Sequence, residues 1–153
     1  MTRINVIPVE DLLDEWLLAE YRELKRIPNK VRRGKYLSGW IPPNYRMGFG
    51  HERFFIDKLL YLKIRHDEIR HELWKRFGKE YPIEVQVYDL PEYLLNDWTP
   101  SSEDMRVNVE RLYERFKMGY HYYRNPVSQF TGKCYEGVGI AHSVLSRRDS
   151  YRN

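Results

Sequence analysis

Apolar residues at Val9, Leu12, Leu13, Trp16, Leu17, Leu24 and Ile27 recur at the three-to-four spacing of one helix face. Acids fill the first turn of this stretch, where the helix dipole favours them, and Pro28-Asn29 predicts its end. Residues 29 to 48 carry Gly34, Gly39, Pro42, Pro43 and Gly48 and read as a long loop. Loops of that length in small domains usually serve a function. A second helical pattern runs from about Glu52 to Phe77 through Phe55, Leu59, Leu62, Ile69 and Leu73, with Gly78 as its stop. Residues 80 to 98 have no clear period, and Val85 and Val87 alternate too briefly to define a strand. Thr-Pro-Ser-Ser-Glu at 99 to 103 predicts a helix start, and Met105, Val109, Leu112 and Phe116 form the stripe that follows. The expected architecture is all-α: a compact single domain of three main helices, a long basic loop and an irregular C-terminal extension. The helical domain is expected over 1–124 and the extension, of no assigned role, over 125–153.

Length agrees with this picture, because 153 residues suit one domain with a real core. Cys134 is the only cysteine, which excludes an internal disulfide and fits a reducing compartment. No apolar run approaches the roughly 18 residues of a membrane span, and the start lacks the layout of a secretion signal. These features lead to the expectation of a soluble, cytoplasmic chain with no membrane partner.

The net charge is only +4, but it is unevenly placed. Residues 1–23 hold Glu10, Asp11, Asp14, Glu15, Glu20 and Glu23 against Arg3 and Arg22. Residues 24–46 then carry Lys25, Arg26, Lys30, Arg32, Arg33, Lys35 and Arg46 with no acid. Such a one-sign stretch fits a polyanion partner, and it also fits a solvated basic loop. Aromatics make up 15% of the chain, and several adjoin basic residues, as base stacking and ordinary packing both allow.

Candidate chemistry lies at the start of the chain. Glu23 falls about 14 residues into the first predicted helix, roughly 21 Å from its beginning. Residues 2–8, if extended, span about 23 Å. A chain turning at Pro8 therefore has the reach to bring Thr2 beside Glu23. Arg22, Glu23 and Arg26 share an arc of about 100° on that helix, so an α-amine, a carboxylate and guanidiniums, Arg3 included, can meet. An α-amine titrates near about 7.7–8.0, and neighbouring arginines lower that value and improve the nucleophile. The same arginines attract phosphates. This chemistry requires removal of Met1, which the small Thr2 side chain favours.

MTRIN at the start, AEYRELKR at 19–26, GFGH at 48–51, FFIDKL at 54–59 and DWTP at 97–100 resemble the phage-type pyrimidine dimer DNA glycosylases of the endonuclease V family. RLYER at 111–115 and YHYY at 120–123 continue the resemblance in the same order, over about residues 1–124. The resemblance implies three packed helices and a reaction without metal or cofactor, performed by a monomer on double-stranded DNA containing damaged pyrimidines. In that reaction the Thr2 amine attacks C1′ of the 5′ sugar, forms a Schiff base and cleaves the strand by β-elimination. Glu23 then takes the role of stabilising the cationic sugar and shuttling protons. Arg3, Arg22 and Arg26 match lesion and phosphate contacts, Arg111 and Arg115 further backbone contacts, and His51 a histidine near the DNA. The family also kinks DNA and extrudes a base opposite the lesion. Lys30, Arg32, Arg33 and Lys35 rest on charge alone, since the interhelical loop differs from the family's. Gly119 precedes Tyr120 where the family carries a tryptophan nearby.

Bland alternatives stand beside these assignments. A frayed terminus accounts for Thr2 alone, a surface ion-pair cluster for Glu23 with Arg22 and Arg26, a helix start for His51, and packing for Tyr120, Tyr122 and Tyr123. His66 and His71 lie about 140° apart on a helix, so they do not form a metal pair, and a solvated helix face is expected for them. Gly48 and Gly50 lack the strand–turn–helix context of a nucleotide loop, and Cys134 has no activating neighbours in sequence. Two further readings remain open: the same amine chemistry on another base lesion, and a non-catalytic basic DNA-binding protein.

Overall fold

The computed structural model describes residues 2–35 and 39–119. Its described residues are helical without strands: α1 Asp14–Glu23, α2 Arg26–Arg32, α3 His51–Phe54, α4 Leu59–Phe77 and α5 Ser102–Gly119, with short 3-10 turns at Val9–Asp11 and Glu92–Leu94. The class is all-α, as the hydrophobic pattern predicts. Among the described residues no helix is long and apolar enough to cross a membrane. The chain divides into two compact units, one holding the N-terminal residues to Asn5 with Leu17–Thr99, the other Val6–Trp16 with the segment beginning at Pro100.

Boundaries differ from expectation where local chemistry intervenes. Pro28 does not end the first helix; it sits in the first turn of α2, where a missing N–H costs nothing. Its effect falls one turn earlier. The proline ring excludes the carbonyl of Leu24 from a normal i→i−4 bond, and that carbonyl accepts instead from Ile27 N–H at 3.2 Å. The helix therefore breaks at Leu24-Lys25, and Asn29 to Arg32 are helix rather than loop. The second predicted helix divides as well. Lys58 adopts φ −128° and ψ 41°, its ammonium takes the Phe54 carbonyl at 2.9 Å, and Asn96 Nδ2 donates to the Asp57 carbonyl at 2.8 Å. Asn96 also offers its carbonyl to Tyr61 N–H at 3.2 Å, satisfying an otherwise unpaired donor of the first turn of α4.

The start of α5 follows its sequence signature. Ser101 Oγ accepts from Asp104 N–H at 3.1 Å while Asp104 Oδ2 accepts from Ser101 N–H at 2.8 Å, a reciprocal cap. In the second unit, Leu12, Leu13, Val109 and Leu112 are buried together with Asn108. The Asn108 amide oxygen accepts from Val6 N–H at 2.8 Å and Ile7 N–H at 3.2 Å. That extended segment thus satisfies its backbone without a sheet.

In the first unit, Tyr45, Phe54, Phe55, Tyr61 and Trp98 form an aromatic core. Edge-on pairs there include Phe54–Trp98 at 5.0 Å and Tyr61–Trp98 at 5.1 Å. Ile4, Leu17, Leu24, Ile27, Leu59, Leu62, Ile69 and Leu73 are buried in the same unit. His66 corrects an expectation: it is buried rather than solvated, stacks on Tyr21 with ring centres 5.2 Å apart, and bonds the Tyr21 carbonyl through Nε2 at 2.9 Å. Leu62, His66, Ile69 and Leu73 follow the spacing of one apolar stripe, so His66 points inward with its neighbours. His71 is exposed.

Candidate active site

The N-terminal residues form an extended segment outside any sheet, tied to α1 through Asn5 and Glu20. Their peptide groups are satisfied by side chains. Ile4 N–H donates to His51 Nε2 at 2.8 Å, and the Ile4 carbonyl accepts from the Tyr45 hydroxyl at 2.9 Å. Asn5 donates to Glu20 Oε1 twice, from its backbone at 3.3 Å and from its amide at 2.8 Å.

Glu20 is the centre of this arrangement. It is 1% exposed, and its carboxylate also accepts from Arg65 Nε at 2.8 Å and Nη2 at 3.3 Å. A carboxylate in the interior requires such partners, because an unpaired buried charge is far costlier than the pair. The pair therefore anchors the N-terminal strand to α1 and α4.

His51 opens α3 behind a tight turn. Gly48 O accepts His51 N–H at 3.1 Å, and Gly50, with φ 86° and ψ −4°, fills the left-handed position of a type II turn. The Nδ1 of the His51 ring faces the Arg46 carbonyl at 2.7 Å. Since a carbonyl only accepts and the Ile4 N–H only donates, the proton resides on Nδ1 and the ring is neutral. Burial favours that state and pushes the imidazole below its ordinary value; the Arg3 charge pushes the same way, while the Arg46 carbonyl opposes them. The hydroxyl of Tyr45 likewise keeps its proton, as burial raises its pKa well above the phenol range.

Asn5 is anchored at Glu20. Three extended residues from there cover up to about 10 Å, whereas the helix from Glu20 to Glu23 rises about 4.5 Å, so Thr2 has the reach to meet Glu23. Thr2 is buried, with its nitrogen in the peptide bond to Met1. The Glu23 side chain is 25% exposed and pairs with Arg26 Nη1 at 3.6 Å. Arg22 is exposed and Arg3 half-buried, the latter close enough to bear on His51 and Tyr45.

Basic residues beyond this cluster divide. Lys30 binds Glu52 at 2.6 Å. Arg32 forks onto Asp89 at 2.6 and 2.7 Å and donates to the Gln86 carbonyl at 2.8 Å. The acid-free stretch of sequence thus finds acids in the fold, while Arg33 and Lys35 remain exposed. In the second unit, Arg111 and Arg115 lie one turn apart on α5, with Arg111 3.7 Å from Glu114 and Arg115 exposed. Tyr120 and Tyr122 lie outside the described residues.

Three of the positioning residues escape the sequence reading: Glu20, Arg65 and Tyr45. Two of them carried a signal, since Glu20 falls between Trp16 and Leu24 on the apolar stripe and Arg65 between Leu62 and Ile69. A charge on a buried stripe points to an interior ion pair.

The fold and site define a helical protein whose N-terminal backbone is held in place by the buried side chains of His51, Tyr45 and Glu20. A family model described as pyrimidine dimer DNA glycosylase matches residues 1–84, more than half of the chain, and takes in Thr2, Arg3, Arg22, Glu23, Arg26 and His51. The chain belongs to the pyrimidine dimer DNA glycosylase family, and is a DNA glycosylase with damaged DNA as its substrate.

Proposed function

We propose that this glycosylase works through the backbone nitrogen of Thr2 and also cleaves the abasic strand. Once Met1 is removed, the free amine forms a bond to C1′ of the 5′ sugar of the dimer as the glycosidic bond breaks. Sugar-ring opening then gives an imine. Loss of a C2′ proton expels the 3′ phosphate by β-elimination, and water hydrolyses the imine to free the enzyme. Glu23 is assigned to the cationic sugar and to proton transfer; Arg3, Arg22 and Arg26 are assigned to the flanking phosphates. Arg33, Arg111 and Arg115 are proposed as further phosphate contacts. Lys30 and Arg32 are proposed as DNA contacts as well, exchanging Glu52 and Asp89 for phosphate. His51 is proposed as a positioning residue, because both its ring nitrogens hold backbone.

The observation that carries this reading is the anchoring of Ile4 and Asn5 by His51, Tyr45 and Glu20. A nucleophile on a chain terminus pays the entropy of a frayed end unless the backbone behind it is fixed. Borohydride trapping on DNA containing an abasic site tests the mechanism, with mass spectrometry of the N-terminus alongside. Protein lacking Met1 is expected to form a covalent adduct through Thr2. Absence of an adduct from such protein overturns the amine mechanism. Glu23→Gln is expected to bind DNA and lose strand cutting, and retained cutting refutes its role.

A further inference from the structure

Phe49 departs from the behaviour of its neighbours. Phe54 and Phe55 are buried, whereas Phe49 is 78% exposed at the tip of the turn before α3. It occupies the first central position of that type II turn, between Gly48 at φ 70° and Gly50 at φ 86°. The turn is braced. A Cβ on Gly50 would meet Pro42 Cγ at 3.1 Å and Arg46 Cδ at 3.3 Å, so the turn sits directly against the 42–46 loop. His51, which closes the turn, is fixed at both ring nitrogens. Beside it Trp40 is half exposed, with the Arg46 guanidinium 5.6 Å from its ring centre. An exposed aromatic on a rigid tip, flanked by a cation and a second aromatic, has the makings of a base-stacking surface.

We propose that Phe49 inserts as a wedge into the base stack of the duplex beside the lesion, with Trp40 and Arg46 engaging the adjacent strand. The proposal rests on the duplex being the substrate, as family membership indicates. Its placement suits that role. From the Phe49 backbone, the path through His51 and its 2.8 Å bond to Ile4, and on to Thr2, is at most about 22 Å, or about six to seven base steps at about 3.4 Å. The wedge and the proposed nucleophile therefore address one short stretch of duplex. Opening a stack to reach an atom inside it leaves a gap, and an apolar ring that fills the gap stabilises the kinked form.

The test uses the full chain and a duplex carrying a tetrahydrofuran abasic analogue, which has no group for an amine to displace, with 2-aminopurine beside it. Phe49→Ala is expected to weaken binding about five- to 150-fold, the range for loss of one base–aromatic stack, and to blunt the rise in 2-aminopurine fluorescence. Phe49→Trp is expected to restore both. Parental binding and fluorescence in Phe49→Ala overturn the proposal, as does a Phe49→Trp protein as weak as the alanine variant. Because the analogue cannot react, failure of the amine mechanism appears separately, as a parent that binds this duplex but is not trapped on a true abasic site.

Discussion

Asparagine and glutamine at position 51 each preserve one half of what the imidazole does. The Asn amide nitrogen overlays Nδ1 and retains the donation to the Arg46 carbonyl, but leaves Ile4 N–H without its acceptor. The Gln carbonyl oxygen overlays Nε2 and retains Ile4, but gives up Arg46. Ile4 is fully buried, so its abandoned N–H costs about 1–3 kcal/mol. Arg46 is exposed, and its carbonyl can turn to water at smaller cost. His51→Asn should therefore melt roughly 2–12 °C below the parent, at about 2–4 °C per kcal/mol for a chain of this size. It should also loosen the N-terminal strand. A cost of that size corresponds to about a five- to 150-fold shift of the local equilibrium, which sets the ceiling on lost activity. His51→Gln should keep most of the parental rate. Single-turnover incision of dimer-containing duplex, with borohydride trapping in parallel, reads the difference. If glutamine is as impaired as asparagine, or asparagine cuts at the parental rate, the hydrogen bond to Ile4 does not position the nucleophile.

Three further outcomes are expected. Glu20→Gln removes the carboxylate that pairs with the buried Arg65 and should lose up to about 3–5 kcal/mol in urea unfolding; a loss below about 1 kcal/mol would show that the pair is replaceable. Burial depresses both His51 and His66 below the usual 6.5. Their contribution to stability should be complete above about pH 6.5 and fade as pH falls through the lowered folded-state values, since the unfolded chain then binds more protons. Chemical denaturation between pH 8 and 5 measures this, and a flat profile contradicts it; His51→Gln should flatten the slope in part. Gly50→Ala places a Cβ at φ 86° against Pro42 and Arg46 and should cost at least about 1–2 kcal/mol; calorimetry showing no change would remove the tight turn from the account of His51.

The apolar period along the chain was sufficient for the helical class, because helix faces are written locally and need no knowledge of partners. The stripes through Leu17 and Leu24, Leu62 and Leu73, and Val109 and Leu112 all end up buried. The reciprocal cap at Ser101 and Asp104 is equally local, as is the motif set that carries the family resemblance. What sequence reading missed depends on residues far apart in the chain. The break at Lys58 involves Asn96; the neutral state of His51 involves Ile4 and Arg46; the apparently uncompensated Lys30 and Arg32 meet Glu52 and Asp89. Thr2 and Glu23 could be linked from sequence only by reach, an upper bound on distance. The tertiary structure decides where Ile4 and Asn5 lie, because buried peptide groups must find partners, and those partners are His51, Tyr45 and a Glu20 whose own charge is held by Arg65.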